Sequence, residues 1–287
     1  MNNMFIRPGG FLLKNSIAEA VGVFIMYESD ITAMSGTAQK KISFMENNLL
    51  GFILMSMMAG VYIGAGSIFM GCMGTWFNAA GSPARNLVQG TVFAVGLCMV
   101  VICGAELFTG NNLVMSVGAF TKSVSWGKVV KFWVICWIGN LLGSLVMAVL
   151  FTFSGIPAAN DNAMGIYFAG LGAAKMAGTP LNLLMKGILC NILVCIAIWG
   201  CARLKSEGAK FAMCFCCVSM FVSCGFEHSI ANMTFLNIAL LNPNGANVSL
   251  GGAAYNLAIV TLGNMIGGIL FVAVPYVLAA TKGKKAN

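Results

Sequence analysis

An apolar tract from about residue 85 to 120 is too long for one straight membrane-spanning helix, which needs about 20 residues. It is also interrupted: Gly104 and Gly110 bracket a break over Cys103 to Asn112. Non-helical backbone at membrane depth survives only where protein buries it or where it lines a cavity. A second tract, about 211–241, is broken in the same way at Cys224 to His228. The breaks echo each other. Cys103-Gly104-Ala105-Glu106 and Cys224-Gly225-Phe226-Glu227 share Cys-Gly-x-Glu, and Asn111 and Asn232 each follow their Cys by eight positions. Farther on, Gly139-Asn140-x-x-Gly143 is matched by Gly263-Asn264-x-x-Gly267. Two ordered matches at similar spacing imply an internal duplication, and Gly-interrupted apolar segments in corresponding places of two halves point to a site between them.

Composition fixes the solvent. The 287 residues are 59% apolar and 8% charged, against roughly 25% charge in a soluble domain. The chain is therefore read as an integral membrane protein, and no removable leader is expected at its start. Apolar tracts at about 48–70, 85–120, 132–153, 181–199, 211–241 and 255–279 give six spans. Residues 154–180 read as a Gly/Ala-rich loop, and residues 1–47 as a polar approach with an interfacial helix over Phe11 to Met26. The expected organisation is an N-terminal segment 1–47, a transmembrane unit 48–281 and a basic tail 282–287.

The net charge of +8 comes from basic residues at loop edges, so it reports orientation and not a nucleic-acid surface. Lys40 and Lys41, then Lys122, Lys128 and Lys131, then Arg203, Lys205 and Lys210, then the tail lysines occupy alternate ends and loops. Both termini are thus expected in the cytoplasm, in the cell (plasma or inner) membrane. Three spans per half is an odd number, which requires the halves to be inverted. The eleven cysteines lie mostly inside apolar tracts and read as small packing residues, with no metal set among them.

His228, the single histidine, lies at the second break. A lone histidine is ordinarily satisfied by core hydrogen bonds or faces a subunit interface. An ionisable group at membrane depth is costly, however, and the duplicated break around this one favours a functional role.

These stretches resemble the formate/nitrite transporter family of pentameric anion channels, which share an aquaporin-like protomer fold. The resemblance rests on Gly104-Ala105-Glu106-Leu107-Phe108-Thr109-Gly110-Asn111, on Gly225-Phe226-Glu227-His228-Ser229-Ile230-Ala231-Asn232, and on Gly187 to Cys195 in the fourth span. It implies a homopentamer in the lipid bilayer that carries a small monovalent anion and protons, with no enzymatic activity and no cofactor. The family's central histidine falls on His228, its threonine in the second span on Thr109, and the flanking lysine and asparagine on Lys175 and Asn191. Its apolar constrictions fall on Phe93 and Leu97 toward one vestibule and Phe221 toward the other.

The expected chemistry follows. An anion cannot cross an apolar ring without a desolvation cost of several kcal/mol, whereas a small neutral acid can. Lys175 would attract the anion, helped by the helix N-terminus after each break. His228 would donate a proton directly or through a relay, Thr109 would position the substrate, and Asn191 would orient the His–Lys pair. Glu106 and Glu227 are expected to bond backbone N–H groups at the breaks, with Asn111 and Asn232 as their structural companions. Lys186 is expected to snorkel, with no further role. Formate leads among the substrates, with nitrite and hydrosulfide as rivals. A neutral-solute pore is the alternative class, although neither break carries an Asn-Pro-Ala turn.

Overall fold

The computed structural model describes residues 10–280, with side chains from Tyr27 onward; the basic tail lies outside the described residues. Everything described is helical or connecting. The helices are α1 (Gly10–Asn47), α2 (Leu49–Ala79), α3 (Arg85–Cys103), α4 (Phe108–Phe120), α5 (Trp126–Phe153), α6 (Ala159–Met176), α7 (Pro180–Arg203), α8 (Glu207–Ser223), α9 (Ser229–Leu241), α10 (Leu250–Gly268) and α11 (Val274–Ala280). A 3₁₀ turn, Ile156–Ala158, precedes α6, and a π turn, Ile269–Ala273, joins α10 to α11.

Five helices among the described residues are long and apolar enough to cross a membrane: α2, α3, α5, α7 and the continuous Leu250–Ala280 run. The tract expected as a fifth span is divided into α8 and the shorter apolar α9, because the chain breaks between them.

The second break falls where it was expected, at residues 224–228; the first is shorter than expected, residues 104–107, with Gly110 already inside α4, and the two are built alike. Gly104 and Gly225 have φ of +76° and +74°, a left-handed conformation that side-chain-bearing residues adopt only at a cost. Just past each, the chain closes back on the preceding helix: the Ala105 N–H donates to the Val100 carbonyl (3.1 Å), and the Phe226 N–H to the Phe221 carbonyl (3.0 Å). This 6→1 bond satisfies a helix-end carbonyl at each site.

The duplicated Gly-Asn-x-x-Gly pairs set close helix contacts. A Cβ on Gly143 would collide with the Met57 carbonyl, and one on Gly267 with the Ile188 carbonyl. The absent side chains let α5 lie against α2, and α10 against α7, at backbone distance.

Two expectations fail. Residues 163–176 are helix and not loop, after a left-handed kink at Asn160, Asp161 and Asn162. This helix reads as loop in the sequence because most of its buried residues are small, Gly165, Ala169 and Gly172 beside Phe168, with Gly172 facing Ala239 of α9. The approach segment is not a short helix ahead of the spans either. It is one 38-residue helix whose later part buries Ile31, Met34, Ala38, Ile42 and Met45, a stripe at helical spacing.

Candidate functional site

Asn140 and Asn264 hold the two breaks in shape, and they do so identically. The Asn140 side-chain amide donates to the carbonyls of Ser56 (2.7 Å) and Glu106 (2.9 Å), and its Oδ1 accepts the Phe108 N–H (2.9 Å). The Asn264 amide donates to the carbonyls of Gly187 (2.8 Å) and Glu227 (2.9 Å), and its Oδ1 accepts the Ser229 N–H (2.9 Å). Each asparagine thereby bonds backbone on both sides of a break and on the neighbouring helix. Each also satisfies the first amide of the helix that follows, α4 or α9, which would otherwise be an orphan donor.

The carboxylates at the breaks are mirrored too. Glu106 Oε2 accepts from Lys41 Nζ (2.5 Å) and from the Asn111 amide (2.9 Å). Glu227 Oε2 accepts from Lys175 Nζ (2.8 Å) and from the Asn232 amide (2.6 Å). The expectation that these glutamates bond backbone N–H groups is corrected: their partners are side-chain donors. All four charged side chains lie mostly out of solvent, at 22% and 12% exposed for Lys41 and Glu106 and 16% and 11% for Lys175 and Glu227. Asn256 extends the second cradle, accepting from Asn232 (2.9 Å) and donating to the Lys175 carbonyl (2.8 Å).

His228 and Thr109 meet between the cradles. His228 Nε2 and Thr109 Oγ1 are 2.9 Å apart, and His228 Nδ1 accepts the Ala231 N–H (3.1 Å), capping α9. A nitrogen that accepts a backbone N–H carries no proton, so the neutral ring has its hydrogen on Nε2 and donates it to Thr109. The Thr109 hydroxyl hydrogen is then left for a third partner. Asn191 reaches this centre from behind. Its amide donates to the carbonyls of Thr109 (3.3 Å) and Asn264 (2.7 Å) and to Asn112 Oδ1 (3.1 Å). None of these bonds goes to His228 or Lys175, so Asn191 fixes the backbone of Thr109 and does not orient a His–Lys pair.

The rings also differ from expectation. Phe221 stacks on His228 with centroids 5.9 Å apart, and Phe93 meets Phe221 edge-on at 6.0 Å. Phe93 and Phe221 therefore stand together and not on opposite sides of the histidine. Leu97 is one turn along α3 from Phe93, and all three are buried.

On the Lys41 side a cavity of about 520 Å³ opens, lined by Lys41, Glu106, Gly110, Ile198, Arg203 and Lys210 among others. Two further ion pairs belong to its wall, Arg203 with Asp30 (3.1 Å) and Lys210 with Glu207 (2.8 Å). Lys41 was missed at the sequence level, where it counted only as a marker of orientation. The duplication marks Glu106 and Glu227 as equivalent, but neither lysine partner lies within the repeated stretches, so the pairing emerges only in the fold. Lys186 is exposed, and its carbonyl accepts the Glu227 N–H (3.3 Å).

With this geometry in view, the comparisons with known proteins are decisive. Residues 28–278 match the family model described as formate/nitrite transporter. This chain belongs to the formate/nitrite transporter family. The nitrite transporter NirC of Escherichia coli (strain K12) is 35% identical over 261 residues, covering 91% of this chain and 95% of that protein. A solved structure described as an FNT family ion channel superposes with a TM-score of 0.81 at 33% identity, covering 88% of this chain and 99% of the other. Another, described as a pentameric formate channel with formate bound, gives 0.71 at 28% identity, covering 81% and 98%. Family members so described are transporters and channels, and the chain shares their helical membrane fold.

Proposed function

We propose that this protein is a homopentameric pore for a small monovalent weak-acid anion, which crosses together with a proton equivalent. Formate is the first candidate, and nitrite and hydrosulfide remain in the same class. In this reading α3–α4 and α8–α9 are the second and fifth of six crossings, the two halves are inverted aquaporin-like repeats, and both termini are cytoplasmic. The pentamer follows the relative described as a pentameric formate channel.

One observation carries the proposal: the His228–Thr109 hydrogen bond lies between two mirrored Lys–Glu cradles. Each lysine ammonium has three donors and its glutamate takes one, so an anion can be received without a bare buried charge. Phe93, Phe221 and Leu97 form the apolar stretch that rejects the ionised form, because desolvating it costs several kcal/mol. At the centre, the Thr109 hydroxyl reads the substrate oxygen. A second proton on His228 displaces the Ala231 N–H from Nδ1, so the ring charges only while an anion beside it offsets that loss. The proton then passes from Nε2 to the substrate, directly or through Thr109. A neutral solute would have no use for the paired lysines, which disfavours the water-pore alternative.

Uptake into liposomes that hold a pH-sensitive dye tests this reading. Formate, nitrite, hydrosulfide and chloride are added in turn at acidic and neutral pH. At least one weak-acid anion is expected to enter and carry acid with it, faster at the lower pH, while chloride stays out. Equal passage of chloride would mean an open anion pore and would sink the proposal.

A further inference from the structure

Away from the His228 centre, at the far wall of the Lys41-side cavity, two thiols face each other. Cys201, in the last turn of α7, and Cys214, in the second turn of α8, have their sulfurs 3.4 Å apart. That is closer than two unbonded sulfurs usually stand, and a disulfide requires only a further approach to about 2.05 Å. The helices that carry them are joined by the short linker of residues 204–206, so closing the bond asks for a small shift at one hairpin end. Cys201 and Cys214 are both buried, but Cys201 lines the 520 Å³ cavity and can be reached by whatever enters it. Lys210, paired with Glu207, lines the same wall near Cys201, and a cation beside a thiol favours its attack on an oxidant.

The geometry points to a modification site: Cys201 and Cys214 form a dithiol that a small peroxide entering the cavity converts to a disulfide. The step balances. The Cys201 thiolate attacks one oxygen of hydrogen peroxide, the O–O bond breaks, and a Cys201 sulfenic acid and hydroxide result. The Cys214 thiolate then attacks that sulfur, the S–O bond breaks, and the oxygen leaves as water once protonated. Two thiols are oxidised and one peroxide is reduced to two waters. The pair is placed to matter, because Arg203, two residues from Cys201, holds Asp30 of α1 in the wall of the same cavity. Of the other nine cysteines, Cys103, Cys216 and Cys224 are exposed, Cys72 is half-buried, and Cys98, Cys136, Cys190, Cys195 and Cys217 are buried, with Cys98 and Cys217 the neighbours of this pair.

The test uses the intact wild-type protein in liposomes. It is treated with graded hydrogen peroxide, its remaining thiols are blocked with N-ethylmaleimide, and its peptides are mapped by mass. The expected result is a peptide pair linked through Cys201 and Cys214, appearing at the lowest effective dose and removed by dithiothreitol. In Cys201→Ser and Cys214→Ser proteins the link is absent, while a Cys216→Ser protein forms it normally. Full alkylation of both cysteines at doses that oxidise the exposed Cys103, Cys216 and Cys224 would overturn the proposal. So would a Cys201–Cys214 link that forms only after the protein is unfolded.

Discussion

Replacing Asn264 with Leu is expected to prevent stable folding. The substitution strands the Glu227 carbonyl and the Ser229 N–H, both buried, and removes the bond that ties the break to the Gly187 carbonyl of α7; leucine supplies no replacement. A stranded buried group costs about 1–3 kcal/mol, and lipid offers no water to relieve it. Two such groups, together with the lost tie to α7, cost a large share of the roughly 5–15 kcal/mol that holds a typical protein folded. Fluorescence-detected size exclusion of the detergent-solubilised protein should show loss of the folded peak. Asn140→Leu should fail in the same way, because its three bonds are the counterparts of these. A folded, stable Asn264→Leu protein would mean that the asparagine is not what holds the break.

The second large effect concerns the cradles. Glu227→Gln leaves Lys175 charged, largely buried and without its carboxylate. Breaking one side of a buried ion pair typically costs about 3–5 kcal/mol, which for a chain of this size is a fall in Tm of roughly 10 °C. The double variant Lys175→Met/Glu227→Gln should recover most of the loss, since no uncompensated charge remains. The same cycle on Lys41 and Glu106 should behave alike, with a somewhat smaller penalty because Lys41 is more exposed. Additive losses in the double variants would show that neither pair is energetically coupled.

Much of this arrangement was legible in the sequence, and for physical reasons. The breaks could be read from Gly104 and Gly225 because only glycine takes a positive φ freely, and both positions do. The duplicated Gly-Asn-x-x-Gly was legible because close helix contact and a break-spanning amide each demand one residue type. The helical nature of α6 was not legible: of its buried positions at helical spacing, Gly165, Phe168, Ala169 and Gly172, only Phe168 is a large apolar residue. The buried face of α1 was hidden by the polar residues between Ile31 and Met45, and Lys41 with it. Neither could the linear order show that Phe93 and Phe221 share a side, since they come from helices far apart in the chain that meet only in the fold. Glu106 and Glu227 were recognised as structural together with Asn111 and Asn232, but their lysine partners depend on side-chain geometry that no spacing encodes.

The measurement that tests the account most directly compares wild-type and His228→Ala proteins in dye-loaded liposomes, with formate uptake followed across acidic to neutral pH. Size exclusion and melting of both proteins establish that the variant assembles. If His228 passes the proton, uptake in the variant should fall by about a hundredfold, the low end of what a positioned proton donor contributes, and the acid carried with the anion should fall in step. Assembled His228→Ala protein that moves formate and acid at the wild-type rate at every pH would contradict the account.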